Sequence, residues 1–149
     1  MPASLFDANI WVAATFPSHP FHTPALTALE EATPDAPAVF CRATQVSFLR
    51  LATTPQLLKQ YGAQGFTNDD VLVGLQILLS RPSVSEVDEP SGTAALWLRL
   101  ASRDTALPKV WMDAYLAAFA ICGEMRFVSL DDDFKAYRAH GLDLVLLHR

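Results

Sequence analysis

The sequence predicts an α/β fold with a mostly parallel central sheet. Two observations lead to this prediction. Short apolar runs of strand length alternate along the chain with longer segments of helical periodicity, which is the pattern of parallel βαβ units. At 149 residues the chain is also long enough to bury one full core, so we expect a single domain over residues 1–149.

Five short runs are predicted to be the strands of this sheet. They are Ser4–Phe6, Ala38–Cys41, Val84–Val87, Phe127–Leu130 and Leu144–Leu147. Apolar runs of this length suit strands that helices cover on both faces. In an open parallel sheet, ligands bind beyond the carboxyl ends of the strands, so residues that directly follow a strand are the candidates for function.

Six helical segments are predicted between these strands. The segments begin at Thr23-Pro24, run from Gln45 to about Ala52, lie around Leu57-Leu58, follow Thr67 to about Ser80, span Ser91–Arg103 and span Val110–Cys122. Thr23, Thr44 and Thr67 are predicted N-caps, because a threonine hydroxyl can accept a hydrogen bond from an unpaired N–H of the first turn. Gly123 is predicted to end the last helix in the left-handed conformation that favours glycine. A turn at residues 17–20 is the one element assigned between the first strand and Thr23.

Composition excludes several classes of protein. Hydrophobic residues make up 51% of the chain and charged residues 18%, which suits a compact globular protein rather than a disordered one. The N-terminus lacks the pattern of a secretion signal, and charged residues or proline interrupt the long apolar stretches, so we expect a cytoplasmic protein without a membrane span. Cys41 and Cys122 lie in apolar surroundings and are expected to be free thiols. The net charge of −5 repels a nucleic acid backbone. Binding to nucleic acid would therefore need a local basic patch or a metal ion between the protein and the backbone.

Three apolar runs carry an aspartate at or near one end, namely Asp7, Asp113 and Asp131. Asp7 and Asp131 follow predicted strands, and a right-handed crossover would bring the start of the helix that carries Asp113 to the same edge. Each aspartate alone has a local explanation, as a helix cap, a dipole partner or a turn residue. Converging carboxylates imply a cation, because without one they raise each other's pKa values and cost folding energy.

Magnesium chemistry is the chemistry that such a cluster suits. Mg²⁺ prefers hard oxygen ligands and retains several waters, so a few aspartates suffice and histidine or cysteine ligands are unnecessary. A bound ion of this kind can bridge a phosphodiester to an acidic protein and supply hydroxide. The chain contains neither a G-x-x-x-x-G-K nor a G-x-S-x-G sequence, which disfavours P-loop and serine-hydrolase chemistry.

Three short motifs follow one another along the chain. They read Leu5-Phe6-Asp7-Ala8-Asn9-Ile10, Met112-Asp113-Ala114-Tyr115-Leu116-Ala117-Ala118 and Val128-Ser129-Leu130-Asp131-Asp132-Asp133-Phe134. In this order the motifs resemble those of PIN-domain ribonucleases and, more narrowly, of the VapC toxins of bacterial toxin-antitoxin pairs. The resemblance implies a three-layer α/β/α sandwich and cleavage of an RNA substrate that depends on Mg²⁺ or Mn²⁺. It also implies a homodimer and silencing by a small VapB-like antitoxin whose tail occupies the acidic groove.

The resemblance assigns roles to individual acids. Asp7, Asp113 and Asp131 match the acids that bind the metal ion and carry catalysis. Asp133 matches an accessory acid of some members and is a further candidate ligand. The predicted reaction is hydrolysis of an RNA phosphodiester by a water that the metal ion activates.

Four polar residues are predicted to support these acids. Asn9 and Ser129 match small polar positions beside the first and last carboxylates. The family normally has a further acid on the helix after the second strand, but Gln45 or Ser47 stands there, depending on the alignment. A neutral oxygen at this position predicts weaker cation binding and argues against a second metal ion.

Two other functions remain open. The missing helix acid is compatible with a decayed nuclease fold that binds a partner or RNA without catalysis. Asp7-Ala8-Asn9 also vaguely resembles the acidic motif of aspartyl-phosphate phosphatases, although Asn9 stands where that chemistry needs a second acid.

Five basic side chains have two possible roles. They could line a path for RNA or solvate the outer faces of helices. These residues are Arg42, Arg50, Arg99, Arg103 and Lys109.

Overall fold

The structure is a computed structural model that describes residues 2–148. Within this range five strands form one sheet: β1 (Ser4–Phe6), β2 (Ala38–Phe40), β3 (Val84–Glu86), β4 (Arg126–Ser129) and β5 (Asp143–Leu146). The strands are ordered β3-β2-β1-β4-β5, and each neighbouring pair is parallel. The prediction of an α/β fold with a mostly parallel sheet is therefore confirmed. The strand order reverses between β1 and β4, which is where open sheets of this kind bind ligands.

Seven α-helices and one 3₁₀ helix connect the strands in the described part of the chain. They are α1 (Ala8–Thr15), α2 (His22–Glu31), α3 (Arg42–Leu51), α4 (Pro55–Gln60), α5 (Asn68–Leu79), α6 (Thr93–Ala101), α7 (Pro108–Cys122) and the 3₁₀ helix Asp132–His140. Within residues 2–148, no helix has both the length and the apolar character that crossing a membrane requires.

Two apolar clusters cover the two faces of the sheet. Leu5 of β1 packs into the cluster with α6, α7 and the 3₁₀ helix, whereas Phe6 packs into the cluster with α1, α2, α3 and α5. The pleat of a strand points successive side chains to opposite faces, which explains why neighbours in sequence join different clusters. Helices on both faces give the three layers that the resemblance implied.

Helix α1 is an element that the sequence pattern did not reveal. Ile10, Trp11 and Ala13 are fully buried, so the helix lacks the one-sided periodicity by which a surface helix is recognised. The Trp11 ring stacks on Phe40 of β2, with the ring centroids 3.8 Å apart. Because only one residue separates the end of β1 from the start of α1, Asp7 is held between a strand and a helix.

The predicted N-caps are partly correct. Thr67 caps α5 as expected, and its hydroxyl accepts a hydrogen bond from the backbone of the first turn. Phe21, and not Thr23, is the N-cap of α2, so that prediction is wrong. Thr44 lies within the first turn of α3, where its hydroxyl accepts a hydrogen bond from the Cys41 N–H. The hydroxyl satisfies a backbone group in this case too, but from inside the helix.

Helix α7 begins at Pro108 rather than at the predicted Val110. Proline suits the first position of a helix, because its missing N–H has no partner to lose there. The earlier start places Lys109 in the first turn of the helix. Lys109 is therefore on the same helix as Asp113, and it belongs to the candidate site described below.

The two cysteines are free thiols, as predicted. Cys41 is buried where β2 meets α3, whereas Cys122 is partly exposed at the end of α7. Packing of the two apolar clusters, and not a disulfide, therefore holds together residues 2–148.

The end of α7 differs from the prediction for a physical reason. Gly123 has a φ of −85°, so it is not left-handed, and Glu124 instead has a φ of 54°. Steric crowding, and not the backbone conformation, requires glycine at position 123. A Cβ on Gly123 would lie 3.1 Å from the Phe119 carbonyl oxygen and 3.1 Å from the Pro90 side chain, and it would also overlap the end of the Met125 side chain.

Gly123→Ala is expected to destabilise the protein by about 1–3 kcal/mol, because the added methyl group overpacks this contact. Glu124→Gly, one residue further on, is the matched control. It should leave stability unchanged or raise it by up to about 1 kcal/mol, because glycine adopts a positive φ without strain. Denaturant unfolding measures both effects, and a Gly123→Ala protein as stable as the wild type would contradict the close packing at this site.

Candidate functional site

Three aspartates meet beyond the carboxyl end of β4. Asp113 lies in the second turn of α7, Asp131 follows β4 by two residues, and Asp133 lies in the first turn of the 3₁₀ helix. One carboxylate oxygen of each lies within 4.8 Å of the other two. Within residues 2–148 this is the one group of three or more acidic, histidine or cysteine side chains spaced to share a metal ion.

The side chain of Lys109 joins the three aspartates. Its Nζ donates hydrogen bonds to Oδ2 of Asp131 at 2.6 Å, of Asp113 at 2.7 Å and of Asp133 at 3.0 Å. Lys109 reaches Asp113 because the two residues are four apart on α7, where side chains of one helical face meet. The Phe134 ring lies beneath the ammonium group, with its centroid 6.0 Å from Nζ. One positive charge therefore partly neutralises three negative ones.

Burial and charge oppose each other within this cluster. Burial alone would lower the pKa of Lys109, but the three carboxylates raise it well above its usual range, so the side chain stays charged. Burial raises the pKa of Asp113, and the hydrogen bond from Lys109 offsets this rise only in part. Burial also opposes ionisation of Asp131, but hydrogen bonds from Lys109 and from the Asp133 N–H outweigh it and lower the pKa. Asp131 is therefore ionised across the physiological range.

Asp7 is linked to this cluster through Ser129. Oδ1 of Asp7 accepts a hydrogen bond from the Ala8 N–H at 2.8 Å and caps α1, and Oδ2 accepts one from the Ser129 hydroxyl at 2.7 Å. The same hydroxyl oxygen accepts a hydrogen bond from the Asp131 N–H at 3.0 Å. Ser129 is fully buried, so it holds Asp7 in a fixed position relative to the loop that carries Asp131.

Asp7 is electrostatically part of the cluster. Burial raises its pKa from the usual 3.8 to about 6, against the hydrogen bonds from Ser129 and Ala8, which lower it. The negative charges of Asp113 and Asp131 raise the pKa further. Ionised Asp7 therefore costs the folded protein free energy, and a cation nearby would reduce that cost.

Asn9 connects helix α1 to the loop after β4. Its Oδ1 accepts a hydrogen bond from the Leu130 N–H at 3.4 Å, and its Nδ2 donates one to Ser129 Oγ at 3.5 Å. Both hydrogen bonds are long, so each is weak on its own. Asn9 thus contacts Ser129, which itself positions Asp7 and Asp131. Neither Asn9 nor Ser129 belongs to the cluster of three acids.

Gln45, and not Ser47, faces the carboxyl edge of the sheet. Gln45 is only 4% exposed and lines a cleft between the segment after β3 and helix α7. Its Oε1 accepts a hydrogen bond from Arg42. Ser47 borders a different groove, beside the loop after α3. Two residues along a helix correspond to a rotation of about 200°, so the two side chains cannot share one face. The geometry favours Gln45 as the residue at the position of the missing acid.

Sequence reasoning did not place Lys109 in the site. It assigned this lysine to a path for RNA or to a solvated helix face, and the structure corrects that assignment. The spacing of four residues between Lys109 and Asp113 was the available signal. The signal was hidden because the helix was predicted to begin at Val110, after the lysine.

The family model of the PIN domain matches residues 4–139. The chain is 40% identical over 146 residues to Ribonuclease VapC41 of Mycobacterium tuberculosis strain CDC 1551 / Oshkosh, and the alignment covers 96% of this chain and 97% of that protein. The protein of the same name from strain H37Rv matches with the same identity and coverage.

A solved structure shares the fold. It is the crystal structure of VapBC2 from Rickettsia felis bound to a DNA fragment from their promoter, which matches with a TM-score of 0.65. The alignment covers 97% of this chain and 98% of that chain at 17% sequence identity, so the likeness concerns the arrangement of strands and helices.

Asp7→Asn is expected to stabilise the protein in the absence of divalent cations at neutral pH. The pKa of Asp7 is 3.8 in the unfolded chain and about 6 in the folded protein, so folding takes up a proton between these values. The destabilisation by the ionised group is therefore fully present above about pH 6 and absent at pH values below the unfolded pKa. Since one pKa unit corresponds to about 1.4 kcal/mol, the asparagine should gain about 1–3 kcal/mol at about pH 7.5.

Denaturant unfolding in EDTA at several pH values measures this gain in stability. The gain should shrink as the pH falls toward the pKa of the carboxyl group in the unfolded chain. Asp132→Asn is the matched control, because Asp132 is exposed and pairs loosely with Lys135, at 3.6 Å. An Asp7→Asn protein less stable than the wild type near neutral pH would contradict the predicted cost.

Proposed function

This chain belongs to the PIN-domain family, and we propose that it is a metal-dependent endoribonuclease, the toxin of a type II toxin-antitoxin pair. The likeness to Ribonuclease VapC41 over nearly the whole chain supports the proposal. The observation that carries it is the convergence of Asp113, Asp131 and Asp133 beside Asp7, at the point where the strand order reverses.

The side chains present fit a divalent cation. All the candidate ligands are carboxylate oxygens, which Mg²⁺ and Mn²⁺ prefer. The protein already holds a positive charge here, since Lys109 Nζ lies 2.6–3.0 Å from three of these oxygens. Two oxygens on one Mg²⁺ are at most about 4.2 Å apart. Oxygens within 4.8 Å of one another reach that spacing through small side-chain movements. Asp113, Asp131 and Asp133 would therefore hold the cation, with Asp7 beside them.

A divalent cation, when bound, supplies an activated water and counters the charge of the phosphodiester. The contribution of the chain itself is to hold carboxylates in fixed positions. The Ser129 hydroxyl fixes Asp7 at 2.7 Å, and the Asp133 N–H fixes Asp131 at 2.9 Å. Groups fixed in this way need little reorganisation during the reaction. Because the chain carries a net charge of −5, cation binding also has to offset the repulsion of RNA.

The proposal includes a VapB-like antitoxin, a second copy of this chain and a cytoplasmic location. The first two are implied by the resemblance to the VapC toxins. The ammonium of Lys109 on the three carboxylates supports an antitoxin tail that presents a basic side chain to the same oxygens. Exposed apolar side chains on α5, among them Val73 and Ile77, offer a surface on which another chain could pack.

Of the two alternative functions, one is favoured by a residue of the site and the other is disfavoured. A non-catalytic binding module is favoured by the assignment of Gln45, because it puts an amide at the position of the missing acid. An aspartyl-phosphate phosphatase is disfavoured, since Asn9 contacts Ser129 and the Leu130 N–H rather than supplying a second acid next to Asp7.

RNA cleavage by the purified protein is expected to require a divalent cation together with Asp7 and Asp131. Asp7→Asn or Asp131→Asn should lower the cleavage rate by about 100-fold or more, because each removes a charge that holds the cation or steadies its surroundings. EDTA should abolish cleavage, and added Mg²⁺ or Mn²⁺ should restore it. Gel analysis of labelled RNA measures the rates.

Asp132→Asn is the matched control for this experiment and should cleave at the wild-type rate, because Asp132 points away from the cluster toward Lys135. Metal-dependent cleavage that persists in the pure Asp7→Asn protein would contradict the assignment of Asp7. A wild-type protein that binds neither Mg²⁺ nor Mn²⁺ in calorimetry at millimolar concentrations would favour the non-catalytic module.

Gln45→Glu is expected to tighten divalent cation binding, because it restores a negative charge at the carboxyl edge of the sheet. Ser47→Glu adds the same charge to the same helix on another face and should leave the affinity nearly unchanged. Calorimetric titration of both variants with Mn²⁺ compares them directly. Equal affinities for the two variants would contradict the assignment of Gln45 to the position of the missing acid.

A further inference from the structure

The ammonium of Lys109 occupies an unusual position for a positive charge. Lys109 is the second residue of α7, where the positive end of the helix dipole disfavours a cation. Three carboxylate oxygens nevertheless hold its Nζ at 2.6–3.0 Å. Their attraction therefore outweighs the dipole.

Lys109 contacts one oxygen of each carboxylate that would bind the metal ion. In each of Asp113, Asp131 and Asp133 the atom that accepts its hydrogen bond is Oδ2. An ammonium group and a divalent cation cannot both lie within bonding distance of the same three oxygens, because the two positive charges would repel one another strongly at such separations. Occupation by one therefore excludes the other.

The two sides of this contact differ in mobility. The Lys109 side chain is 57% exposed, whereas that of Asp113 is 14% exposed. Lysine has a flexible stem of four carbons and a strongly hydrated head, so it can leave the carboxylates for water without any movement of α7. Asp113 and Asp131 remain in place when it leaves, since Asp113 is on the helix and Asp131 is held by hydrogen bonds that involve the Asp131 and Asp133 N–H groups. The Asp133 side chain, at 69% exposed, is free to move with the lysine or the cation.

We propose that Lys109 is a built-in counter-cation, which occupies the metal position in the resting protein and has to leave before a divalent cation binds. Lys109 thereby sets the metal concentration at which the protein becomes active. The inference rests on the proposed function, because it concerns the same carboxylates.

Competition between the Lys109 ammonium and a divalent cation determines how much the apparent affinity for the cation falls. When a binding-competent state is only a fraction of the population, the apparent affinity falls by that fraction. A salt bridge of one exposed pair is weak, but this ammonium contacts three carboxylates at once, two of them partly buried. If the ammonium is bound about nine-tenths of the time, the apparent affinity for a divalent cation falls about tenfold.

Calorimetric titration with Mn²⁺ tests the proposal without any assay of cleavage. Lys109→Met should bind Mn²⁺ about tenfold more tightly than the wild type. Lys135→Met is the matched control, because it removes the same charge from an exposed lysine that pairs with Asp132. This control should bind with nearly the wild-type affinity, and Asp131→Asn should bind more weakly than the wild type.

A Lys109→Met protein that binds Mn²⁺ no more tightly than Lys135→Met overturns the inference, while binding by the wild type leaves the proposed function standing. Failure of every variant to bind Mn²⁺ at millimolar concentrations overturns the proposed function together with the inference.

Thermal unfolding separates competition from a merely structural salt bridge. In EDTA, Lys109→Met should unfold at a lower temperature than the wild type, because three carboxylates lose their counter-charge. Saturating Mn²⁺ should raise the Tm of this variant more than that of the wild type, since binding no longer displaces a lysine. An equal loss of Tm with and without Mn²⁺ would mean a structural role and overturn the inference. If Lys109→Met does not fold in EDTA, Lys109→Gln serves in both experiments, because its neutral amide can still donate a hydrogen bond to one carboxylate.

Discussion

Repulsion between carboxylates at the carboxyl edge of the sheet is the constraint on which the rest of the site depends. Parallel pairing of β1 with β4 brings Asp7 and Asp131 to the same edge, and α7 adds Asp113. Such a group persists only where positive charge or hydrogen bonds compensate for it. Lys109 compensates on the side of α7, and Ser129 compensates between the two strands. The compensation is incomplete, since burial still raises the pKa of Asp7.

Because the carboxylate charges are only partly compensated, the stability of the folded protein is linked to the binding of a cation. A carboxylate that destabilises the folded state when ionised is stabilised by any cation that approaches it, and by linkage the cation then binds more tightly to the folded than to the unfolded chain. Without a metal ion, the rest of the fold has to offset the destabilisation that the ionised carboxylates cause. Burial of the apolar clusters on both faces of the sheet, with wholly buried aromatic side chains such as Trp11 and Phe127, stabilises the fold against it. Destabilised acids at a rigid sheet edge are a common feature of functional sites.

The sequence was sufficient for features that depend on local pattern. Strand-length apolar runs gave the sheet, and aspartates after β1 and β4 pointed to its carboxyl edge. It was insufficient where tertiary packing overrides the pattern, as in α1, whose burial on several sides erases the helical stripe. The role of Lys109 depended on where α7 begins, and Pro108, which suits the first position of a helix, was the local signal for the earlier start. The choice between Gln45 and Ser47 depended on the rotation of α3, which periodicity alone did not fix.

Gln45 and Lys109 act on cation binding in the same direction. Relative to the acid that the family pattern implies, the amide of Gln45 removes one negative charge from the edge, and the ammonium of Lys109 adds a positive one. Both changes lower the electrostatic repulsion that the folded chain has to bear without metal, and both weaken the attraction for a divalent cation. They differ in reversibility, because an amide is permanent whereas an exposed ammonium can move aside. If Lys109 leaves as proposed, its departure would restore much of the negative potential where a cation would bind, and the freed lysine would stand at the edge of the site that a polyanionic substrate would approach.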